Sequence, residues 1–389
     1  MKKDKTKNNK FQTGNVITVS FAHLLHDTFS SFLAPILPLL IDKLSISYSM
    51  VGLLSVLQRL PALLNPFVGI VADKISVRYF IIIAPSITAI SMSLLGVAPN
   101  YIVLGILLFI MGVSSTLFHV PGPVLVKEIS GNRIGKGMSF FMLGGELART
   151  LGPLTILGAV SLWTLEGTWK LIPFGLAGSF FLYWKFRNIA VHQDFSKEKK
   201  SSAKGTIRKL MPIFIALIGI TFFRGIMKAG MTTFLPTYLT AKGSSLWFGG
   251  MSLSVLEFAG AAGTIFTGTI SDKIGRRPML LIISVATPIL MWAFIHTSGF
   301  WVVPILLAVG FFMFATQPVL LALVQDVAHD RPAFINGIYM TINFTISAVT
   351  ILFFGILADW LGLETAFKIS TIIALGGIPI VFLIPHKKR

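Results

Sequence analysis

Asp27 is an acid where an acid is costly. It lies inside Val19–Leu40 (VSFAHLLHDTFSSFLAPILPLL), a run long and apolar enough to cross a bilayer. A charge at membrane depth costs about 2.5–3.5 kcal/mol on insertion scales, so it marks a functional position. His23 precedes Asp27 by one helical turn and shares its helix face, which reads as the wall of a substrate or proton pathway. Desolvation can raise a carboxyl by up to about 3–5 units, enough for proton exchange near neutrality, and a nearby arginine lowers it again. Asp27, Glu146 and His23 are therefore the proton-coupling candidates.

The other ionisable residues in apolar runs are Arg59, Arg149, Arg224, Lys228, Glu257 and His119, and with Gln317 and Asn343 they form the candidate substrate-binding set. Arg224 and Lys228 share a helix face, where like charges repel, so an anion between them would ease the strain. Glu146 and Arg149 are spaced to pair within one helix. His26 and His119 read better as hydrogen-bonded structural residues, His119 serving carbonyls freed by Pro121-Gly122-Pro123. No spacing among the histidines requires a metal, and none is expected.

The elements that must position these residues are membrane helices. The chain is 54% hydrophobic with a mean hydropathy of +0.80, more apolar surface than a soluble fold could hide. Apolar segments between turn residues predict twelve spans, near 15–41, 49–72, 79–98, 101–126, 137–162, 168–188, 210–240, 246–270, 278–297, 300–326, 334–358 and 364–385. The net charge of +18 is distributed along the chain. Lys and Arg gather in the N-terminal tail, near Lys74 and Arg78, at Lys127 to Lys136, Lys185 to Lys209, Lys273 to Arg277, Arg331 and the C-terminal tail. The alternate connections carry single lysines: Lys43, Lys170, Lys242 and Lys368. That alternation is the positive-inside pattern and predicts cytoplasmic termini. A nucleic-acid surface would be one patch, so no nucleic-acid partner is expected. The first span is too long for a signal-peptide core and no small-residue cleavage site follows it, so it is kept as a helix.

Two halves repeat. Gly69-x-x-x-Asp73-Lys74 recurs as Gly268-x-x-x-Asp272-Lys273 at an offset of 199 (268 − 69), and Ser55-Val56-Leu57 recurs as Ser254-Val255-Leu256 at 199 (254 − 55). Leu37-Pro38 recurs as Leu235-Pro236 at 198 (236 − 38). The predicted organisation is a basic tail (1–14), a six-helix bundle (15–189), a Lys/Ser-rich linker (190–208), a second six-helix bundle (209–385) and a basic tail (386–389). Six spans per copy give both copies one orientation, and the substrate site of such proteins lies between the halves near the midplane. At this register Asp27 corresponds to Gly225, beside Arg224, and Arg59 to Phe258, beside Glu257, so matched positions carry opposite charge.

In the repeated loop the Asp, at a helix C-terminus, wants a cation or a neighbouring helix N-terminus, and the Gly permits close helix approach. Gly69, Asp73, Lys74, Gly268, Asp272, Lys273, Arg276 and Arg277 are assigned to gating, with Gly355-x-x-x-Asp359 as a related pair.

Twelve spans, duplicated halves and Asp272-Lys273-Ile274-Gly275-Arg276-Arg277 resemble the major facilitator superfamily. Ala22-His23-Leu24-Leu25-His26-Asp27, Phe118-His119 before Pro121, Gly144-Gly145 leading to Leu151-Gly152-Pro153, and the run from Gln325-Asp326 through Gly337 to Ala358-Asp359 resemble its fosmidomycin-resistance branch. Two features depart from the family: Leu108-Phe109-Ile110 stand where many antiporters carry an arginine, and the Gly-Pro motif lacks its closing Gly-Gly. The resemblance implies an all-α membrane protein of the major facilitator fold and proton-coupled efflux of small amphiphilic or anionic compounds. It also implies a bacterial cytoplasmic membrane and, with it, a role in drug resistance. The expected partners are a small-molecule substrate, protons and lipid, and a monomer is expected. An importer or uniporter of an organic anion, peptide or metal chelate is the alternative, and a lipid scramblase or non-transporting sensor a remote one. There is no phosphate-binding Gly-x-x-x-x-Gly-Lys-Ser/Thr, no His-Glu-x-x-His and no Gly-x-Ser-x-Gly, so no enzyme and no cofactor are expected.

Overall fold

Long apolar segments in a solvent without water must satisfy every backbone group internally, and a helix does this within one segment. The computed structural model is helical throughout the residues it describes, 11–64, 78–187, 203–327 and 332–384, with no strand among them. In chain order the first half contributes α1 (Thr13–Ser30), α2 (Leu33–Leu44), α3 (Tyr48–Arg59), α4 (Arg78–Ser93), α5 (Tyr101–His119), α6 (Gly122–Ile129), α7 (Ile134–Trp163) and α8 (Ile172–Phe186). The second contributes α9 (Ala203–Ala229), α10 (Leu235–Ala241), α11 (Leu246–Ile274), α12 (Arg276–Ile295), α13 (Val302–Phe314), α14 (Thr316–Val327), α15 (Pro332–Leu361), α16 (Leu363–Leu375) and α17 (Gly377–Val381).

Among the described residues nine helical stretches are long and apolar enough to cross a membrane. Three of the twelve expected spans are not among them. The stretch expected at 49–72 is α3 followed by a short 3₁₀ turn (Leu60–Leu64), and its remainder lies outside the described residues, as do Gly69, Asp73 and Lys74. The one expected at 137–162 is α7, a 30-residue helix that carries Lys136, Glu146 and Arg149. The one expected at 168–188 is a 3₁₀ segment (Glu166–Leu171) and then the 15-residue α8.

The chain divides into two compact units, one of Met1–Leu40 with Leu57–Phe195 and one of Ile41–Val56 with Ser196–Arg389. In the first, α1 lies along α7 and α4 lies against α5 and α8. Its core gathers Val16, Val19, Ile81, Phe118, Phe141 and Phe186. In the second, α11 packs on α13 and α9 on α15, around Leu217, Ile220, Leu280, Ile283 and Val319. Helix ends follow local chemistry. Asn100 caps α5 by accepting from the Val103 N–H at 3.0 Å, and Ser245 caps α11 by accepting from that of Phe248 at 3.1 Å. Gly275, at φ 98°, turns the chain between α11 and α12, a conformation glycine adopts without the Cβ penalty.

Exposed aromatic side chains are the other mark of a lipid-covered surface. Phe300, Trp301 and Trp360, all at helix ends, are largely exposed, where amphipathic rings anchor at the membrane interface.

Candidate functional site

The hydroxyl residues of α1 find their partners inside the helix. Thr18, Ser20 and Thr28 each donate to the carbonyl four residues earlier, and Ser31 donates to that of Asp27 at 2.8 Å. This fixes the face on which His23 and Asp27 stand. His23 Nε2 lies 3.2 Å from Asp27 Oδ2, and His26 Nδ1 donates to Asp27 Oδ1 at 2.8 Å. The third imidazole comes from another helix. His119 ends α5, where Pro121 cannot continue the backbone ladder, and its Nε2 lies 3.2 Å from Asp27 Oδ1. Rather than serving freed carbonyls, His119 faces Asp27.

Asp27 is thus ringed by three histidines. It is 6% exposed, His23 4% and His26 fully buried, while the side chain of His119 is 40% exposed and opens the cluster on one side. Aromatic rings hold it in place: Phe141 stacks on His23 at 4.1 Å between centroids and Phe118 on His26 at 4.6 Å. His23 Nδ1 donates to the Phe141 carbonyl at 2.7 Å. Behind His23, a methyl group on Gly145 would sit 2.7 Å from its ring, so that glycine leaves room for the side chain, while one on Gly144 would meet the Ser20 carbonyl of α1 at 2.3 Å.

The remaining candidates fall into separate groups. On α7, Glu146 and Arg149 form the expected ion pair within the helix. Arg59 ends α3 with a buried Nε that has no hydrogen-bond partner. In the second unit, Arg224 is 6% exposed, its Nη1 has no hydrogen-bond partner, and its Nη2 reaches the Met313 carbonyl only at 3.5 Å. Lys228 places its ammonium 4.8 Å from the centroid of Phe314, a cation–π contact. Glu257 is buried on α11. Asn343 donates to the Tyr339 carbonyl at 3.2 Å, and Gln317, exposed, accepts from the Tyr339 hydroxyl through its own carbonyl at 3.4 Å.

Among the gating candidates, Arg276 pairs with both Asp272 and Asp326 and donates to Ser271 Oγ at 2.6 Å, supplying Asp272 with a cation. Arg277 lies over the Phe382 ring at 4.9 Å, and Lys273 is exposed. At Gly268 a methyl group would meet nothing within 4 Å among the described residues, so no close helix approach is seen there. Gly355 does supply it, since its Cβ would lie 2.3 Å from the Tyr48 carbonyl. Asp359 finds a helix N-terminus, accepting from the Tyr48 and Ser49 N–H groups at 2.7 and 2.8 Å.

Comparison with known proteins adds four findings. A family model described as Major Facilitator Superfamily matches residues 19–351. The chain is 27% identical over 392 residues to the fosmidomycin resistance protein of Escherichia coli (strain K12), covering 95% of this chain and 93% of that protein. It is 23% identical over 399 residues to the uncharacterized MFS-type transporter YfnC of Bacillus subtilis (strain 168), covering 96% and 93%. Its fold resembles the crystal structure of a bacterial homolog to the human lysosomal transporter Spinster, in an inward-facing and occupied conformation. The TM-score is 0.78 at 14% identity, over 96% of this chain and 97% of that one.

Proposed function

Because the chain belongs to the Major Facilitator Superfamily, we propose that it is a secondary transporter that exports small amphiphilic or anionic compounds in exchange for protons, by alternating access. The observation that carries the reading is the Asp27 cluster: a carboxylate and two imidazoles inside one apolar span, with a third imidazole, the half-exposed His119, at the end of another. Ionisable groups gathered at membrane depth are what a proton-driven cycle needs. One charge falling through 100 mV yields about 2.3 kcal/mol, enough for a gradient of roughly fortyfold.

In this reading Asp27, with His23, carries the coupling proton and Glu146 is a second carboxylate in reach of solvent. Arg59, Arg149, Arg224, Lys228, Glu257, His119, Gln317 and Asn343 contact cargo. Gly69, Asp73, Lys74, Gly268, Asp272, Lys273, Arg276 and Arg277 serve the conformational cycle. Twelve spans, two six-helix bundles at 15–189 and 209–385 and cytoplasmic termini complete it, in a bacterial cytoplasmic membrane. The resistance function named for the Escherichia coli relative supports the outward direction.

The test is transport in proteoliposomes with an imposed pH gradient. Fosmidomycin is the first cargo to try. Expected is uphill cargo movement against the proton flow, abolished in Asp27→Asn. Cargo moving with protons would make the protein an importer, and gradient-driven transport that survives in both Asp27→Asn and Glu146→Gln would remove the coupling assignment.

A further inference from the structure

The geometry around His23 contains an electrostatic conflict. The Phe141 carbonyl can only accept, so the His23 Nδ1 facing it at 2.7 Å carries a hydrogen. In a neutral imidazole Nε2 then presents a lone pair. That lone pair lies 3.2 Å from Asp27 Oδ2, itself an acceptor. The two atoms are close but not aligned for a hydrogen bond, and Nε2 has no hydrogen-bond partner although the residue is almost wholly buried. Two electron-rich atoms held together in an apolar bundle call for a cation between them. His119 Nε2 lies 3.2 Å from the other oxygen, Oδ1.

Both separations exceed the length of a charge-assisted N–H···O bond, about 2.7–2.9 Å. They approach the distance of about 3.3 Å between neighbouring ligands placed tetrahedrally around an ion at about 2.0–2.1 Å. One nitrogen from each histidine and a carboxylate oxygen lie within 4.8 Å of one another. The surrounding bonds are those that orient metal ligands: an imidazole N–H on a carbonyl at His23, and the His26 N–H on the carboxylate at 2.8 Å.

We propose that His23 Nε2, Asp27 and His119 Nε2 form a binding site for one divalent transition-metal ion of the zinc type. Two imidazoles and a carboxylate suit Zn²⁺, Co²⁺, Ni²⁺ or Cu²⁺, whereas Ca²⁺ and Mg²⁺ take all-oxygen shells. The carboxylate offsets one of the ion's two charges. Three protein ligands leave a fourth position open, and His119, 40% exposed, provides the way in. The inference goes beyond the transport reading and depends on neither its cargo nor its direction: a metal ion and a proton would compete for the same lone pairs.

The experiment is titration of Co²⁺ into untagged full-length protein in detergent, followed by optical absorption and by metal analysis after gel filtration. Expected is one Co²⁺ per chain with the absorption of a tetrahedral site, displaced by Zn²⁺, and affinity more than tenfold weaker in both His23→Gln and His119→Gln. The exposed His296 is the control, and His296→Gln should bind as the parent does. Gel-filtration elution and melting temperature establish separately that each variant is folded. No Co²⁺ retained by the folded parent overturns the proposal. So does stoichiometric binding that survives in both variants, which would place the ion on other histidines. Because the readout is binding, failure of proton-driven export would leave this result untouched.

Discussion

Arg224 is a buried cation with few hydrogen bonds among the described residues. A guanidinium taken out of water loses several kcal/mol of solvation, which only good partners restore. Nη1 has no hydrogen-bond partner and Nη2 has one contact at the limit of hydrogen-bonding distance. Replacing such a group with an apolar side chain of similar volume is often neutral or stabilising, by about 1–4 kcal/mol. Arg224→Met should therefore melt at or above the parent temperature while losing transport, if the guanidinium meets cargo. A melting temperature several degrees lower would mean that the arginine is structural. Gly145 is the opposite case, small because His23 needs the room. In Gly145→Val the ring would be forced off Phe141, and the expected result is loss of both proton-driven transport and Co²⁺ binding in a protein that still elutes as a folded species. How far this cluster was legible follows from spacing. His23, His26 and Asp27 lie together on one turn, so their proximity is written in the chain. His119 is not placed by any local pattern; the break at Pro121 and the packing of Phe118 and Phe141 decide where its ring goes.

At the scale of elements, the internal repeat reappears as a contact. A methyl group on Gly112 of α5 would meet the Gln58 carbonyl of α3 at 2.0 Å, and one on Gly310 of α13 would meet the Leu256 carbonyl of α11 at 2.3 Å. Both members shift by 198 (310 − 112 and 256 − 58), one residue short of the 199 that Ser55-Val56-Leu57 and Ser254-Val255-Leu256 give in the same two helices. The two helix pairs thus make the same kind of close backbone approach, one residue out of the sequence register. Gly112→Val and Gly310→Val should each lower the melting temperature, by about 1–3 kcal/mol in stability or more. A tolerated valine at either site would mean the approach is slack. The loop repeat was less legible. It does foresee the needs of Asp272 and Asp359, one met by Arg276 and the other by the start of α3, because a carboxylate at a helix C-terminus has few acceptable neighbours. At Gly268 the sequence shows a glycine but not what stands opposite it. Asp359→Ala should cost about 0.5–2 kcal/mol, as loss of a helix cap does. Amide exchange at Tyr48 and Ser49 should quicken, with Asp359→Asn between the two. Unchanged exchange at those amides would remove the capping role.

At the scale of the whole molecule, membership of the family and an all-helical chain leave the orientation of the helices to charge. Length and hydropathy identify nine stretches among the described residues, because those are local properties. α7, where Glu146 and Arg149 interrupt the apolar run, and α8, which follows a 3₁₀ segment and is only 15 residues long, are not among the nine. Orientation depends instead on where lysine and arginine gather, since cationic loops resist translocation. The proposed orientation puts the N-terminal tail, Lys127 to Lys136 and the C-terminal tail on the cytoplasmic side and the connections holding Asn100 and Ser244 outside. The absence of native cysteine makes this directly measurable, because a single introduced thiol has no background. Thr6→Cys and Lys388→Cys should react with a membrane-impermeant maleimide only in inverted vesicles or lysed cells, and Asn100→Cys and Ser244→Cys in intact cells. Labelling of one tail from each side would require an odd number of spans and break the two-bundle organisation. Labelling of both tails from outside would overturn the predicted orientation, while leaving the exchange of cargo for protons, whose direction the gradient sets, to the transport test.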